Sequence, residues 1–200
     1  MTFIPLKSLR GAVVALSAFA AFAAQAHTGH GTSGLAEGLA HPLGADHLLA
    51  MVAVGAWSVS ALPAGKVWQG PATFMLALVV SAAIGAAGVH VPFLEHLIAL
   101  SVVAFGAMLV FTRQKLPVPL GLGLVALAAS LHGLAHGAEA PESSFALYAL
   151  GFLATTAVLH GGGVAVALGI RRYLARRATP VLAGLGTLCC GAGVYLLSQL

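Results

Sequence analysis

Histidine and carboxylate side chains occur together in one short string, at spacings that could hold a divalent metal ion. The string runs from His41 to His47 and contains Asp46. Pro42 suits the first turn of a helix and Gly44 loosens it, so we expect an irregular helical start. The alternative for Asp46 is an acid that stabilises the positive end of a helix dipole. The string predicts metal ligands at His41, Asp46 and His47, because ionisable groups in an apolar run usually have a functional partner.

A second string places three polar side chains on one stripe of a predicted helix. His132 and His136 are four residues apart, and Glu139 follows three residues later. Residues at these spacings are neighbours on a helical surface. Imidazole nitrogen and carboxylate oxygen suit borderline divalent metals, so we predict that all three side chains are ligands. For Glu139 alone, the alternative is a polar group that ends the apolar run.

Three further polar residues lie within apolar runs and complete the predicted metal path. Glu95 and His96 are adjacent, and because neighbours on a helix diverge by about 100° only one points squarely at a shared site; Glu95 is the stronger candidate. His160 precedes three glycines, residues 161–163, which we expect to weaken the helix and free backbone carbonyl groups. The alternative for His160 is a buried imidazole satisfied by a neighbour.

Two histidines near the N-terminus and two cysteines near the C-terminus complete the set of reactive side chains. His27 and His30 would form an imidazole-bearing tail that captures metal, or alternatively a tail without function. Cys189 and Cys190 are adjacent within an apolar run, where they form neither a CxxC motif nor a disulfide framework. We interpret the cysteines as packing residues.

The composition of the chain excludes an ordinary water-soluble globule. Of 200 residues, 60% are hydrophobic and only 7% are charged, and the mean hydropathy is +0.99. Nine histidines equal the number of Lys plus Arg. The nine cations are scattered rather than clustered in a basic patch, which argues against a nucleic-acid partner. The chain is therefore expected to be a membrane protein whose function lies within its helices.

The N-terminal segment has the pattern of a secretory signal peptide. Lys7 and Arg10 precede an apolar stretch over 11–24, and Ala24-Gln25-Ala26 is a small-x-small cleavage pattern. We predict a cleaved signal peptide over residues 1–26 and a single membrane domain over residues 27–200. The alternative is an uncleaved seventh helix, and both alternatives place Thr28 outside the cytoplasm.

The remaining chain predicts an all-α bundle of six transmembrane helices. Each apolar run is long enough to cross a hydrocarbon core of about 30 Å as a helix. The runs cover approximately 39–62, 71–89, 93–111, 116–135, 145–170 and 179–198. Every Lys and Arg after the signal peptide lies in the first, third or fifth loop, which the positive-inside rule assigns to the cytoplasm. Both mature termini are then periplasmic, and the histidines lie outside or in the outer half apart from His160 at mid-span.

These strings resemble the HupE/UreJ family of nickel and cobalt permeases. The resemblance rests on the string from His41 to His47, on the third-run string from Glu95 to Ser101, and on His132, His136 and Glu139. It implies a bacterial inner-membrane protein that imports Ni2+, sometimes Co2+, for hydrogenase or urease maturation. It also implies that His41, Asp46, His47, Glu95 and the fourth-run histidines carry transport.

The predicted function is secondary transport of a divalent metal ion, with no cofactor other than the transported ion. The chain contains no GxxxxGK[ST] motif for ATP hydrolysis. Because metal displaces protons from imidazole, we expect uptake to weaken below a pH of about 6.5. One alternative is an intramembrane zinc hydrolase, in which three histidines hold the metal and Asp46 or Glu139 is the base. A metal sensor is a weaker alternative because the sequence lacks a soluble effector domain.

Overall fold

The computed structural model describes residues 34–114, 116–139 and 144–200, and this part of the chain is helical throughout its regular structure. The prediction of an all-α protein is confirmed. The predicted signal peptide over 1–26 and the residues His27 and His30 lie outside the described residues. The helices are α1 (Gly34–Ala40), α2 (Ala45–Ala61), α3 (Gln69–Ala86), α4 (Leu94–Val110), α5 (Val118–Glu139), α6 (Phe145–Leu174) and α7 (Ala178–Leu197).

The first predicted run is not one helix but a bent pair. A 3-10 turn over His41–Leu43 follows α1, and α2 begins after Gly44, whose extended backbone (ψ 146°) interrupts the helix. The segments on either side of this interruption meet at 68°. The irregular start that Pro42 and Gly44 predicted is therefore confirmed, whereas the continuous run over 39–62 is corrected.

Close glycine contacts show that α2 and α6 run parallel to each other. Gly163 of α6 packs against the backbone of Val52 in α2. Two turns further along both helices, the Arg171 guanidinium donates a hydrogen bond to the Val59 carbonyl. Residue numbers thus rise together along the two helices, which places the start of α2 and the start of α6 at the same end of the bundle.

Close glycine contacts also fix the relative directions of the other two helix pairs. Gly133 of α5 packs against Leu78 of α3, and Gly137 packs against Ala82, so α3 and α5 are also parallel. The final helix runs in the opposite direction to α4, because Gly186 lies beside Gly106 and Gly193 lies beside Ala99. Although residues 145–197 form one nearly unbroken helical stretch, α7 therefore returns from the end of the bundle that α6 reaches.

The expected break at the glycines after His160 is absent, since α6 continues as α-helix from Phe145 to Leu174. Gly163 instead permits close packing, whereas Gly161 and Gly162 face open space. A side chain at Gly163 would collide with the Val52 carbonyl, and one at Gly55 would collide with the carbonyl of His160. Tight approach of small residues is a main source of packing energy between membrane helices. The prediction that this run frees backbone carbonyl groups is wrong.

By length and composition, three described stretches could cross a membrane. These are residues 64–86, 118–139 and 145–197, and the bent pair of residues 34–43 and 45–61 makes a fourth if it forms one span. Helix α4 is apolar but shorter, at 17 residues. Buried side chains from α2, α3 and α4, including Met51, Phe74 and Phe105, form the centre of the core.

Candidate metal site

Three imidazole rings from separate parts of the chain converge at one end of the bundle. His41 comes from the 3-10 turn, His47 from the first turn of α2 and His136 from the last turns of α5. One nitrogen from each ring lies within 4.8 Å of the corresponding nitrogens of the other two. We call these three residues the histidine triad. Its arrangement could place three nitrogen ligands around one divalent ion.

The bend between α1 and α2 makes this convergence possible. On an ideal helix, residues six positions apart point in directions about 120° apart, so His41 and His47 would lie on different faces. In the bent pair their ring centroids are 5.7 Å apart. Both rings also contact His136, at centroid distances of 4.6 and 4.4 Å. The irregular turn is thus the local structure that assembles the triad.

Asp46 orients the central ring of the triad. The His47 Nδ1 atom lies 2.7 Å from Asp46 Oδ1, and because a carboxylate only accepts, the proton is on Nδ1. The other nitrogen, Nε2, is buried and has no hydrogen-bond partner among the described residues. A carboxylate behind a histidine fixes the tautomer and raises the basicity of the ligand nitrogen. Asp46 therefore prepares His47 Nε2 to bind a metal.

His136 is the most deeply buried member of the triad. Both of its ring nitrogens are buried without a hydrogen-bond partner in the described part of the chain. Its ring lies 4.1 Å from the Phe152 ring, centroid to centroid, which restricts its rotation. Leaving buried polar atoms unpaired costs roughly 1–3 kcal/mol each, so two such atoms on one ring indicate a site built for a ligand.

Glu139 lies at the rim of the site. Its side chain is exposed, and its Oε2 atom is 3.8 Å from Nε2 of His41. The predicted stripe of His132, His136 and Glu139 thus forms, with its two histidines buried and its carboxylate at the surface. Tyr148 also packs against His41, at a centroid distance of 5.9 Å.

His132 extends the site inward from the triad. Its ring is fully buried and lies 4.8 Å from the ring of His47. The Ser101 hydroxyl donates to the Ile98 carbonyl and lies 2.9 Å from His132 Nε2, so it accepts the proton of that nitrogen. His132 Nδ1 is left as an unprotonated, buried atom without a partner among the described residues. It is therefore a further candidate ligand beside the triad.

His160 lies still deeper, and one aromatic ring contacts both His160 and His132. Its Nδ1 atom donates to the Thr156 carbonyl at 2.8 Å, which satisfies one nitrogen as the alternative interpretation expected. Its Nε2 atom is buried and has no hydrogen-bond partner among the described residues. The ring of Phe74 packs against both histidines, 4.7 Å from His160 and 5.8 Å from His132 between ring centroids.

The structure does not bring the third-run candidates into this group. Glu95 is exposed in the first turn of α4, and His96 is half-buried beside the Phe93 ring, at 5.8 Å. Neither residue belongs to the triad of converging nitrogens. Their predicted role as ligands remains a prediction.

Sequence reasoning did not single out the apolar and hydroxyl residues that position the rings. Ser101 fixes the tautomer of His132, Phe152 packs on His136, and Phe74 packs on the two deeper histidines. A phenylalanine in an apolar run gives no signal of such a role. Ser101, as an isolated hydroxyl in α4, was the only one of the three that a search for polar groups in apolar runs could have found.

The helices and the site together define a class: an all-helical membrane protein with a buried cluster of histidines. A family model described as HupE / UreJ protein matches residues 14–196, and the chain therefore belongs to the HupE/UreJ family. Protein HupE from Rhizobium leguminosarum bv. viciae is 40% identical over 146 residues, covering 72% of this chain and 75% of the relative. No solved structure matches the chain significantly. The family resemblance predicted from the histidine strings is confirmed, and the hydrolase alternative gains no support.

Proposed function

We propose that this protein transports Ni2+, or alternatively Co2+, across the bacterial inner membrane and thereby supplies hydrogenase or urease maturation. The observation that carries the proposal is the convergence of His41, His47 and His136. In this triad, His47 Nε2 and both ring nitrogens of His136 are buried without a hydrogen-bond partner among the described residues. Family membership supports the same conclusion. Imidazole ligands suit both ions, and the triad includes no thiolate that would hold them too tightly for release.

We further propose that α2 to α7 are six membrane crossings and that both mature termini are periplasmic. The parallel pairs and the returning α7 support alternating directions along the chain. The cationic loops support the orientation, because Lys66 and Arg171 lie at the end opposite the triad. In this arrangement residues 1–26 are a cleaved signal peptide, residues 27–200 form one domain, and the triad faces the periplasm.

In the proposed mechanism, Ni2+ enters from the periplasmic side and exchanges its water for imidazole. His27 and His30 would first collect the ion, and the triad would then bind it with Asp46 behind His47. His132 offers the next nitrogen, 4.8 Å from His47 between ring centroids, and His160 offers the deepest one. The ion thus meets a series of neutral imidazoles. Where the second ring nitrogen forms a hydrogen bond, that bond orients the imidazole.

The test is uptake of radioactive nickel into cells that express the intact chain or a variant. We expect His47→Ala to abolish accumulation, because this ring contacts all three neighbouring histidines. The matched control is His90→Ala, which removes an exposed imidazole after α3. Unchanged accumulation in His47→Ala would reject the proposal. A hydrolytic product without nickel flux would favour the hydrolase instead.

A further inference from the structure

Phe74 contacts two histidines of the candidate path. Its side chain is fully buried, and its ring centroid lies 5.8 Å from that of His132 and 4.7 Å from that of His160. A second aromatic ring, Phe105, lies 6.3 Å away and supports Phe74 from α4. Each of the two histidines has one unpartnered buried nitrogen in the described part of the chain. An apolar ring that offers no ligand atom thus packs against both of these imidazoles.

An open cavity lies beside His160, towards the end of the bundle opposite the triad. Its volume is about 630 Å³, and it lies between the end of α2, the start of α3 and the second half of α6. His160 and Ala157 line its deep end, and Met75, the neighbour of Phe74, also faces it. Trp68 and Arg171 line it towards the end of the bundle that carries the cationic loop. We call this space the inner cavity.

We propose that the inner cavity is the exit chamber of the transport path and that Phe74 is the barrier between it and the periplasmic histidines. The proposal rests on the proposed transport of a divalent cation and adds where the path is closed. In this arrangement the triad and His132 form the entry side, and the inner cavity opens to the cytoplasm. The occupant of both sides is the same divalent cation.

The walls of the inner cavity suit release rather than tight binding. Among the described residues, His160 is the one imidazole on its lining, and most of the other lining residues are apolar. A single nitrogen ligand holds a divalent ion far more weakly than three converging ones. Arg171 adds a permanent positive charge near the opening, which disfavours a cation that lingers there. A transport path needs this gradient, because an ion must leave as well as enter.

Phe74 is suited to be a barrier because of what its ring cannot do. A divalent cation that has lost water needs replacement ligands at every step, and an apolar constriction supplies none. The ion crosses only when the ring moves aside so that His132 Nδ1 and His160 Nε2 can share it. The barrier therefore depends on the bulk of the side chain at position 74.

The first test measures passive flux of Co2+, Ni2+ and Mg2+ into proteoliposomes that contain the full chain. We expect Phe74→Ala to increase flux down a gradient by about tenfold or more, since that corresponds to a barrier lowered by about 1.4 kcal/mol, and to admit Mg2+. Phe74→Trp should reduce flux while metal binding to the triad persists. The matched control is Leu78→Ala, which truncates an equally buried side chain one turn along α3 and should keep wild-type flux.

The second test measures which side of the membrane reaches the inner cavity. In a background with Cys189→Ala and Cys190→Ala, the Ala157→Cys thiol is treated with a membrane-impermeant reagent from either side. We expect reaction only from the side of Lys66 and Arg171, and reaction from both sides once Phe74→Ala is added. Reaction from neither side would place the inner cavity against lipid and overturn the proposal.

The results separate this inference from the proposed function. If the wild-type protein neither binds nor transports Ni2+, the proposed function fails. If it transports Ni2+ but Phe74→Ala and Leu78→Ala have equal flux and equal labelling, transport stands and Phe74 is not the barrier. If Phe74→Ala does not fold, Phe74→Trp still decides, because unchanged flux through the larger ring also overturns the assignment.

Discussion

The triad and the inner cavity contain the same ligand type in opposite settings. At the triad, one nitrogen from each of three rings lies within 4.8 Å of the other two, and carboxylates lie beside two of the rings. At the inner cavity, His160 is surrounded mainly by apolar residues, and the charged side chain on the lining is the cation Arg171. The difference in ligand number and in the sign of nearby charge favours capture at one end and release at the other. A difference in metal affinity between the two ends of the path can thus arise from where the histidines lie, with no change of ligand type.

The largest expected effect is a split between the two regions in metal affinity. His136→Ala removes one of the three converging nitrogens, and we expect Ni2+ affinity to fall by more than about 100-fold, beyond what loss of an outer-sphere partner causes. His160→Ala lies outside the triad and should change affinity by no more than about twofold, as distant sites act independently. Calorimetric titration of the purified proteins measures both values. Equal losses in the two variants would mean that one site includes all the histidines.

The next largest effect concerns the carboxylate behind His47. Asp46→Asn keeps an oxygen that can accept from His47 Nδ1 but removes the negative charge, so we expect Ni2+ affinity to fall by about 10- to 100-fold. The matched control is Glu37→Gln, which neutralises a half-buried acid on α1. The same titration measures both variants. A loss in Glu37→Gln as large as that in Asp46→Asn would indicate a general electrostatic field rather than an oriented ligand.

The two regions also differ in how closely neighbouring helices approach at their glycine residues. A side chain at Gly137, next to His136, would collide with the Ala82 carbonyl, whereas one at Gly162, near the inner cavity, would meet open space. We expect Gly137→Ala to lower the free energy of unfolding by about 1–3 kcal/mol through overpacking. Gly162→Ala should be neutral or raise it by up to about 1 kcal/mol, because alanine favours helix.

Unfolding in mixed detergent, followed by circular dichroism, measures the stability of both glycine variants. If Gly137→Ala were as stable as the wild type, α3 and α5 would be free to separate near the triad. The histidine positions would then depend on the metal rather than on the packing of these two helices.

The residues of the site could be predicted from the sequence better than their arrangement could. His132 and His136 share a helical stripe, and a spacing of four fixes that outcome wherever a helix forms. The contact between His41 and His47 depends on the 68° bend, which is a tertiary result of packing α1 against α6. Pro42 and Gly44 indicated an irregular turn but carried no information on its angle.

Two other parts of the prediction show why the rest needed the structure. The glycines after His160 weaken an isolated helix. Inside the bundle, however, close packing of Gly163 against Val52 stabilises the helix pair, so α6 remains continuous. Phe74 and Phe152 contact the histidines directly, but an apolar side chain in an apolar run is indistinguishable from core. Local spacing therefore predicted ligands, and only the packing revealed what orients and separates them.

The smallest expected effect tests a carboxylate that sequence and structure place differently. Glu95 stood out as an acid at the start of an apolar run, but its side chain is exposed in the first turn of α4. We expect Glu95→Gln to change Ni2+ affinity by less than about twofold, as for a site distant from the triad.

Glu139→Gln should lower Ni2+ affinity by more, about a few-fold, because Glu139 lies 3.8 Å from His41 and acts as an outer-sphere partner of that ligand. Titration of both variants under one buffer gives the comparison. A loss in Glu95→Gln that exceeded the loss in Glu139→Gln would place Glu95 on the ion path after all, and the entry side would then extend from the triad to the start of α4.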